Sequence, residues 1–324
     1  MSRPTVSVIM NCLNGAQHLQ AALDSLMGQS FTDFEVIFWD NGSTDASPSL
    51  ARACDERLRY FRAERTTPLG QARNLALAHA RGRYLAFLDC DDLWLPDKLQ
   101  RQTALMEYNP RVGLSCTDTE IFDGTHVLQR IFAHSKPYRG MAFAELMQGQ
   151  WISMSSAMLR SSALTPLSTE GIAPGQEING GWFDQELNVC EEADVFYRVA
   201  HDWELEYVDA PLTRWRVHGR NTTFDKFGQF ADETLRILQK HRRLYPHYDQ
   251  EYPDLVALLT RRAAFQKAVA LWRTGRNAEA REVVRPWRGQ GRKMQLFWWA
   301  SYLPGACFDL AARLYFALPQ GWRK

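Results

Sequence analysis

The first hundred residues alternate short β-rich runs with helical patterns, and that alternation restricts the fold more than any other feature of the chain. "TVSVIM" (Thr5–Met10), "FEVIFW" (Phe34–Trp39), "RYFRA" and "RYLAFL" (Arg83–Leu88) read as strands. Between them, "GAQHLQAALDSLMGQ" (Gly15–Gln29) places Leu19, Leu23 and Leu26 on one helical face, and "ASPSLARACDE" and "LGQARNLALAHARG" give two further helices. A fourth, "LPDKLQRQTALMEYN" (Leu95–Asn109), carries Pro96 near its first turn. Strands separated by helices of this length imply βαβ units and an α/β, Rossmann-like, mostly parallel sheet flanked by helices. Ligands of such sheets bind beyond the carboxyl ends of the strands. "NCLN", "DNGSTD" and "DCDD" are therefore expected on one rim.

From Lys226 onward the pattern is helical: "FADETLRILQKHRRLY", "LVALLTRRAAFQKAVALWRTG" and "NAEAREVVRPW". "AVALWRTGRNAEAREVV" has the look of a tetratricopeptide hairpin, but one copy does not make a repeat protein. The expected organisation is a catalytic domain over residues 1–225 and a helical region over 226–324. Net charge is +1, yet Leu255–Lys324 holds thirteen Lys/Arg against three Asp/Glu, a local +10 that leaves −9 on the first 254 residues. A basic tail on an acidic body suits an anionic surface partner, not nucleic acid. Six scattered cysteines without CxxC spacing read as reduced thiols of a cytosolic protein. The opening residues lack the layout of a signal peptide, and no run of 18 apolar residues offers a membrane span.

"FLDCDDLW" ends a strand in three carboxylates, Asp89, Asp91 and Asp92. Mutual repulsion there is relieved by a divalent cation, and hard oxygen ligands suit Mg²⁺ or Mn²⁺ with phosphate oxygens completing the shell. A solvated acidic turn, with Asp92 as ligand or helix cap, is the alternative.

Four motifs in order resemble the family-2 glycosyltransferases over Val6 to Thr223: the opening strand and Asn-Gly turn leading to "DNGSTD", the "ARN" helix leading to "DCDD", "EEADVFYR", and "RWRVHG". The resemblance implies a GT-A fold, a nucleotide-sugar donor and inversion at the anomeric carbon. It implies that Asp40 accepts a hydrogen bond from the nucleobase, that Asn14 lines the donor pocket, and that Arg73 reaches the base or diphosphate. Asn41 and Ser43 fit turn chemistry. Asp89 and Asp91 become the Asp-x-Asp pair with Asp91 the direct metal ligand, and His218 adds a metal or diphosphate contact near Arg216. Glu192 is the expected general base, with Glu191 in reserve, where relatives usually have Glu-Asp. Where many relatives carry Pro-Thr-Tyr-Asn this chain has Asn11-Cys12-Leu13-Asn14, so no aromatic ring at Leu13 stacks on the base.

The implied activity is metal-dependent transfer of a sugar, with a UDP-sugar favoured as donor and a glycan or lipid-linked acceptor, in surface polysaccharide or cell-envelope synthesis. Trp151 and Trp182 are candidates to stack on a sugar. An inactive nucleotide-sugar-binding scaffold is the competing reading. A nucleotidyltransferase is disfavoured because "NCLNGAQH" lacks a Gly-rich, basic phosphate loop. The expected place is the cytoplasm, peripheral on the inner face of the cell membrane. Tyr302–Leu318, bracketed by Trp298, Trp299 and Trp322, would lie as an interfacial helix or else pack on the catalytic domain.

Overall fold

The computed structural model describes residues 3–133, 137–149, 152–164, 181–218 and 229–304. Trp151 and the stretch beyond Pro304, including Trp322, lie outside them. The chain divides into two compact units, Met1–Asn221 and Thr222–Lys324.

In the first unit β1 (Val6–Cys12), α1 (Ala16–Met27), β2 (Phe34–Asp40), α2 (Ser47–Arg52), β3 (Leu58–Arg62), α3 (Leu69–Leu77) and β4 (Tyr84–Phe87) follow the βα alternation of the sequence. Strands β1, β2 and β4 are buried almost throughout. That is why they read as unbroken apolar runs: helices cover a parallel sheet on both faces. Leu19, Leu23 and Leu26 of α1 pack with Val8, Met10, Val36, Phe38 and Ala86 into one core.

Beyond β4 the chain adds β5 (Leu93–Trp94), α4 (Lys98–Tyr108), β6 (Val112–Phe122), β7 (Val127–Arg130), α5 (Phe143–Gln148), β8 (Met158–Arg160), α6 (Glu191–Asp202) and β9 (Glu204–Arg216). Among the described residues these strands form one sheet in the order β3-β2-β1-β4-β8-β6-β9-β5, with β7 also on β6. The first four strands are parallel. Past β4 the pairing is mixed: β8 is antiparallel to β4 and β6, β9 runs parallel to β6, and β5 returns antiparallel on β9. The two-residue β5 also explains why α4 starts at Lys98 and not at Leu95, since Leu93 pairs with Arg214 and Trp94 with Thr213. This pairing brings the end of β9 against the acidic turn after β4.

The second unit contains α7 (Gln229–Leu244), α8 (Tyr248–Glu251), α9 (Pro253–Arg273), α10 (Asn277–Val284) and α11 (Arg292–Ala300). Gly275, at φ 79°, turns α9 into α10 in a left-handed conformation that glycine adopts without strain. Val269 and Trp272 of α9, Val284 of α10, and Met294, Phe297 and Trp298 of α11 share a core. Trp298 is thus an interior residue, a correction to its expected place at a membrane edge. Trp299 is 64% exposed and Leu296 68%. No helix among the described residues is long and apolar enough to cross a membrane.

Candidate active site

The rim starts at the ends of β1 and β2. Asn14 has φ 54°, a left-handed conformation that asparagine tolerates better than most residues. Its backbone N–H donates to Ser43 Oγ at 3.0 Å, and its Oδ1 accepts from Thr44 N–H at 2.8 Å, so it clasps the two loops together. Gly42 turns the second loop at φ 95°, where a Cβ would sit 3.0 Å from Thr66 Oγ1. Asp40 has no exposed surface. Its carboxylate accepts from Ser43 N–H at 2.7 Å, the Tyr60 hydroxyl at 2.5 Å and Arg62 Nη1 at 2.9 Å. Burial acts to raise its pKa, but Tyr60, Ser43 and Arg62 outweigh it and hold the carboxyl below the usual range. Arg62, the cation paired with Asp40, has a side chain 44% exposed. Asn41 bonds Thr67 through both ends of its amide and fastens the loop ahead of α3.

Arg73, on the buried face of α3, is 3% exposed. Its guanidinium donates to Glu191 Oε1 at 2.7 Å and lies 3.6 Å from Asp89 and 3.8 Å from Glu192. The side chain expected to face a nucleotide therefore faces carboxylates. Next to it, Asn74 accepts from the backbone N–H groups of Trp182 and Phe183 and donates to the Phe183 carbonyl. That fixes Trp182 beside the site and lays the Phe183 ring under Arg73, 5.4 Å from ring centre to guanidinium.

Each carboxylate of the turn after β4 has its own protein partner. Asp89 faces Arg73, and Asp91 Oδ2 lies 2.9 Å from His218 Nε2. Asp92 is buried and accepts from Ser155 Oγ at 2.6 Å and from the Arg216 backbone N–H at 2.9 Å. It does not cap α4, whose N-cap is Asp97, and it anchors the turn to β9. Burial first, then the charges of Asp89 and Asp91, hold its carboxyl well above the usual range. Asp89 is also raised, chiefly by burial against the opposing pull of Arg73, but 44% of its side chain meets solvent, which tempers the rise. Arg73 offsets part of the repulsion at Asp89, yet burial and their carboxylate neighbours keep both Asp89 and Asp92 raised.

Whether a divalent ion fits rests on the donor set. A half-exposed carboxylate on Asp91 and an imidazole on His218 converge, with Asp89 next along the turn. Oxygen and imidazole nitrogen suit Mn²⁺, and Mg²⁺ typically takes only one or two carboxylates. No group of three His, Cys, Asp or Glu poised around one point exists among the described residues.

Glu191 and Glu192 open α6 and differ sharply. The Glu191 side chain is 5% exposed and locked on Arg73; that of Glu192 is 28% exposed. Burial pushes the Glu192 carboxyl up to about 8, with Arg73 opposing and Glu191 and Asp89 adding to the rise.

Two residues that the motifs did not single out complete the site. Ser155 donates to Asp92 and accepts from the Asp89 backbone N–H, holding the turn at both ends. His18 of α1 stacks on His218 with ring centres 5.4 Å apart, and burial, then Arg216 and His218, lower its pKa. Ser155 lies in "MSSAML", where nothing but the serine pair marks it, and His18 is one polar residue of an amphipathic helix.

The sequence pattern of "Glycosyl transferase family 2" matches residues 7–165. An uncharacterized glycosyltransferase of Rickettsia felis is 30% identical over 221 residues, covering 68% of this chain and 34% of that protein. The chain spans about a third of the length of the relatives from Rickettsia felis, Rickettsia conorii and Rickettsia bellii. A UDP-Glc:alpha-D-GlcNAc-diphosphoundecaprenol beta-1,3-glucosyltransferase of Escherichia coli is 27% identical over 164 residues, 50% of this chain and 63% of its own. Among solved structures, a mannosyltransferase from Pyrobaculum calidifontis in complex with GDP-Man and Mn²⁺ aligns over 100% of this chain and 83% of its own, with TM-score 0.60 and 18% identity. At that identity the likeness speaks for the fold alone.

Proposed function

We propose, for a chain that belongs to glycosyl transferase family 2 and has its GT-A fold, that it moves a sugar from a nucleotide-diphosphate donor to a glycan or lipid-linked acceptor. One observation carries this reading: a single buried guanidinium, Arg73, joins the acidic turn of Asp89 and Asp91 to the acid pair of Glu191 and Glu192. Donor-side and acceptor-side chemistry are thereby held in one constellation.

In this reading residues 1–225 are the catalytic domain. The nucleoside lies against Asn14 and the β2 loop, and Asp40 reads the base once Arg62 moves aside. The sugar end reaches the turn after β4. Asp91 and His218, with Asp89 beside them, would hold Mn²⁺ or Mg²⁺; when bound, the ion neutralises charge on the departing diphosphate. Glu192 removes the acceptor hydroxyl's proton, for which a basicity near the working pH is suited. Its approach from the face opposite the diphosphate gives inversion. Glu191 keeps Arg73 charged and in place, and Trp182 offers a ring to the acceptor sugar. A UDP-sugar is the favoured donor, and an acceptor of the cell envelope agrees with the name of the Escherichia coli relative.

The exposed Leu296, Trp299, Tyr302 and Leu303, within a region of local charge +10, support the reading of a peripheral enzyme at an anionic membrane surface. The reading is tested by assaying nucleoside diphosphate release from a panel of UDP-, TDP- and GDP-sugars, with Mn²⁺ and with EDTA, in the presence of lipid-linked saccharides. Release that needs both metal and acceptor is the expected result; none with any donor would overturn the assignment.

A further inference from the structure

Cys12 closes β1, and Cys90 sits between Asp89 and Asp91. The parallel register of β1 and β4 places Ile9 opposite Phe87, and the Leu88 N–H still donates to the Ile9 carbonyl at 3.1 Å. Three residues past that pair, on both chains, stand the two cysteines. Neighbouring strands run roughly 4.8 Å apart. That lies inside the Cα separation of about 4.4–6.8 Å that a disulfide requires. Gly15 supplies the room: a Cβ there would lie 2.7 Å from Cys90 Sγ and 2.9 Å from Cys12 Sγ, so both sulfurs converge above one glycine. Both are free thiols, Cys12 buried and Cys90 partly open.

We propose that Cys12 and Cys90 are a dithiol–disulfide couple built into the donor rim and open to a two-electron oxidant such as hydrogen peroxide. One of the two sulfurs attacks one peroxide oxygen, the O–O bond breaks, and a sulfenic acid and one water result. The other sulfur then attacks the oxidised sulfur, the S–O bond breaks, and the hydroxyl leaves with the attacking thiol's proton as a second water. Two thiols and one peroxide thus give one disulfide and two waters; the sulfurs lose two electrons and the peroxide gains them. Closing the bond draws the sulfurs to about 2.05 Å. Cys90 stands between Asp89 and Asp91, which Arg73 and His218 hold, so the bond ties the turn that carries both carboxylates to the end of β1. The oxidised site therefore loses its grip on donor and metal, and this consequence alone rests on the function proposed above.

The test uses the full chain, reduced and then treated with one molar equivalent of peroxide. Remaining thiols are alkylated under denaturing conditions, and peptides are read by mass spectrometry. The expected product is a linked pair of peptides bearing Cys12 and Cys90, two hydrogens lighter than their sum and separated by dithiothreitol. UDP affinity in Mn²⁺ should fall at least about tenfold on oxidation and recover on reduction, about 1.4 kcal/mol in binding. Cys12→Ser should give no linked pair and leave Cys90 as a mixed disulfide when glutathione is present. Should that variant fail to fold, the wild-type peptide map decides alone. Sulfinic acid on Cys90 with Cys12 still free, or linkage of any other pair, would overturn the couple. Linked peptides with unchanged UDP affinity would overturn the switch. A reduced protein indifferent to UDP would instead count against the glycosyltransferase reading and leave the thiol chemistry standing.

Discussion

Arg73 donates to Glu191 across 2.7 Å, although the two residues are 118 positions apart in the chain and both side chains are buried. A buried ion pair adds little net stability over an apolar replacement, but removing one partner leaves the other charged and unpaired, which costs about 3–5 kcal/mol. Glu191→Gln should therefore lower Tm markedly, while Glu192→Gln, at a side chain 28% exposed, should not. Thermal unfolding of the two variants side by side measures this. Equal losses would mean that Arg73 leans on both acids alike.

The same pair separates folding from chemistry. Glu192→Gln should retain nucleotide affinity and lose turnover by roughly 10²–10⁴-fold, the usual worth of a general base. Steady-state kinetics with a UDP titration resolves the two effects. A larger turnover loss in Glu191→Gln, in protein that is still folded, would move the base by one residue.

The Glu192 carboxyl, pushed up to about 8, sets the sign of the pH dependence. The base works only when deprotonated, so kcat/KM of the free enzyme should rise with pH through about 8 and level off above it. Activity is lost as pH falls, well before the ordinary glutamate value of 4.5 is reached. An acid limb near 4.5 would place the base outside this environment.

The βα alternation was legible because β1, β2 and β4 are covered on both faces and so carry continuous apolar runs, with leucines at helical spacing between them. The acidic turn, the Glu-Glu helix start and the Arg-x-His segment were legible as motifs. Their mutual contacts were not. Arg73 meets Glu191 only because α6 follows a long excursion of the chain, and nothing local to "ARN" announces whether its arginine faces a nucleotide or an acid. Asp92 looked like a third ligand because sequence shows three carboxylates and not the direction each takes. Its burial depends on Ser155 and on β9, whose pairing with the two-residue β5 is too short to leave a periodic signal. Trp298 and Trp299 are neighbours in sequence, yet helical geometry sends one into the core and the other to solvent.

That last contrast fixes where the membrane question is asked. Deleting everything after Arg292 would remove Met294, Phe297 and Trp298 from the second unit's core and unfold it. Leu296→Ala with Trp299→Ala instead removes two exposed apolar side chains and should leave Tm unchanged. Co-sedimentation with vesicles of anionic lipid at low salt should drop, since amphipathic rings and basic flanks jointly favour the headgroup region. Undiminished sedimentation would remove this face from any membrane contact.

In the proposed function the turn after β4 receives a metal-bound nucleoside diphosphate through Asp91 and His218. The most direct measurement of that binding is a thermal-shift titration of UDP with and without Mn²⁺, on wild type and Asp91→Ala. A ligand that binds only the folded state stabilises it by mass action, by about 2.7 kcal/mol at a hundred times Kd, and so raises Tm. Wild type should show a UDP-dependent rise that needs Mn²⁺, and Asp91→Ala none, with a Tm without ligand close to that of wild type. An equal rise in EDTA, or in the variant, would rule out a metal-bound diphosphate at Asp91.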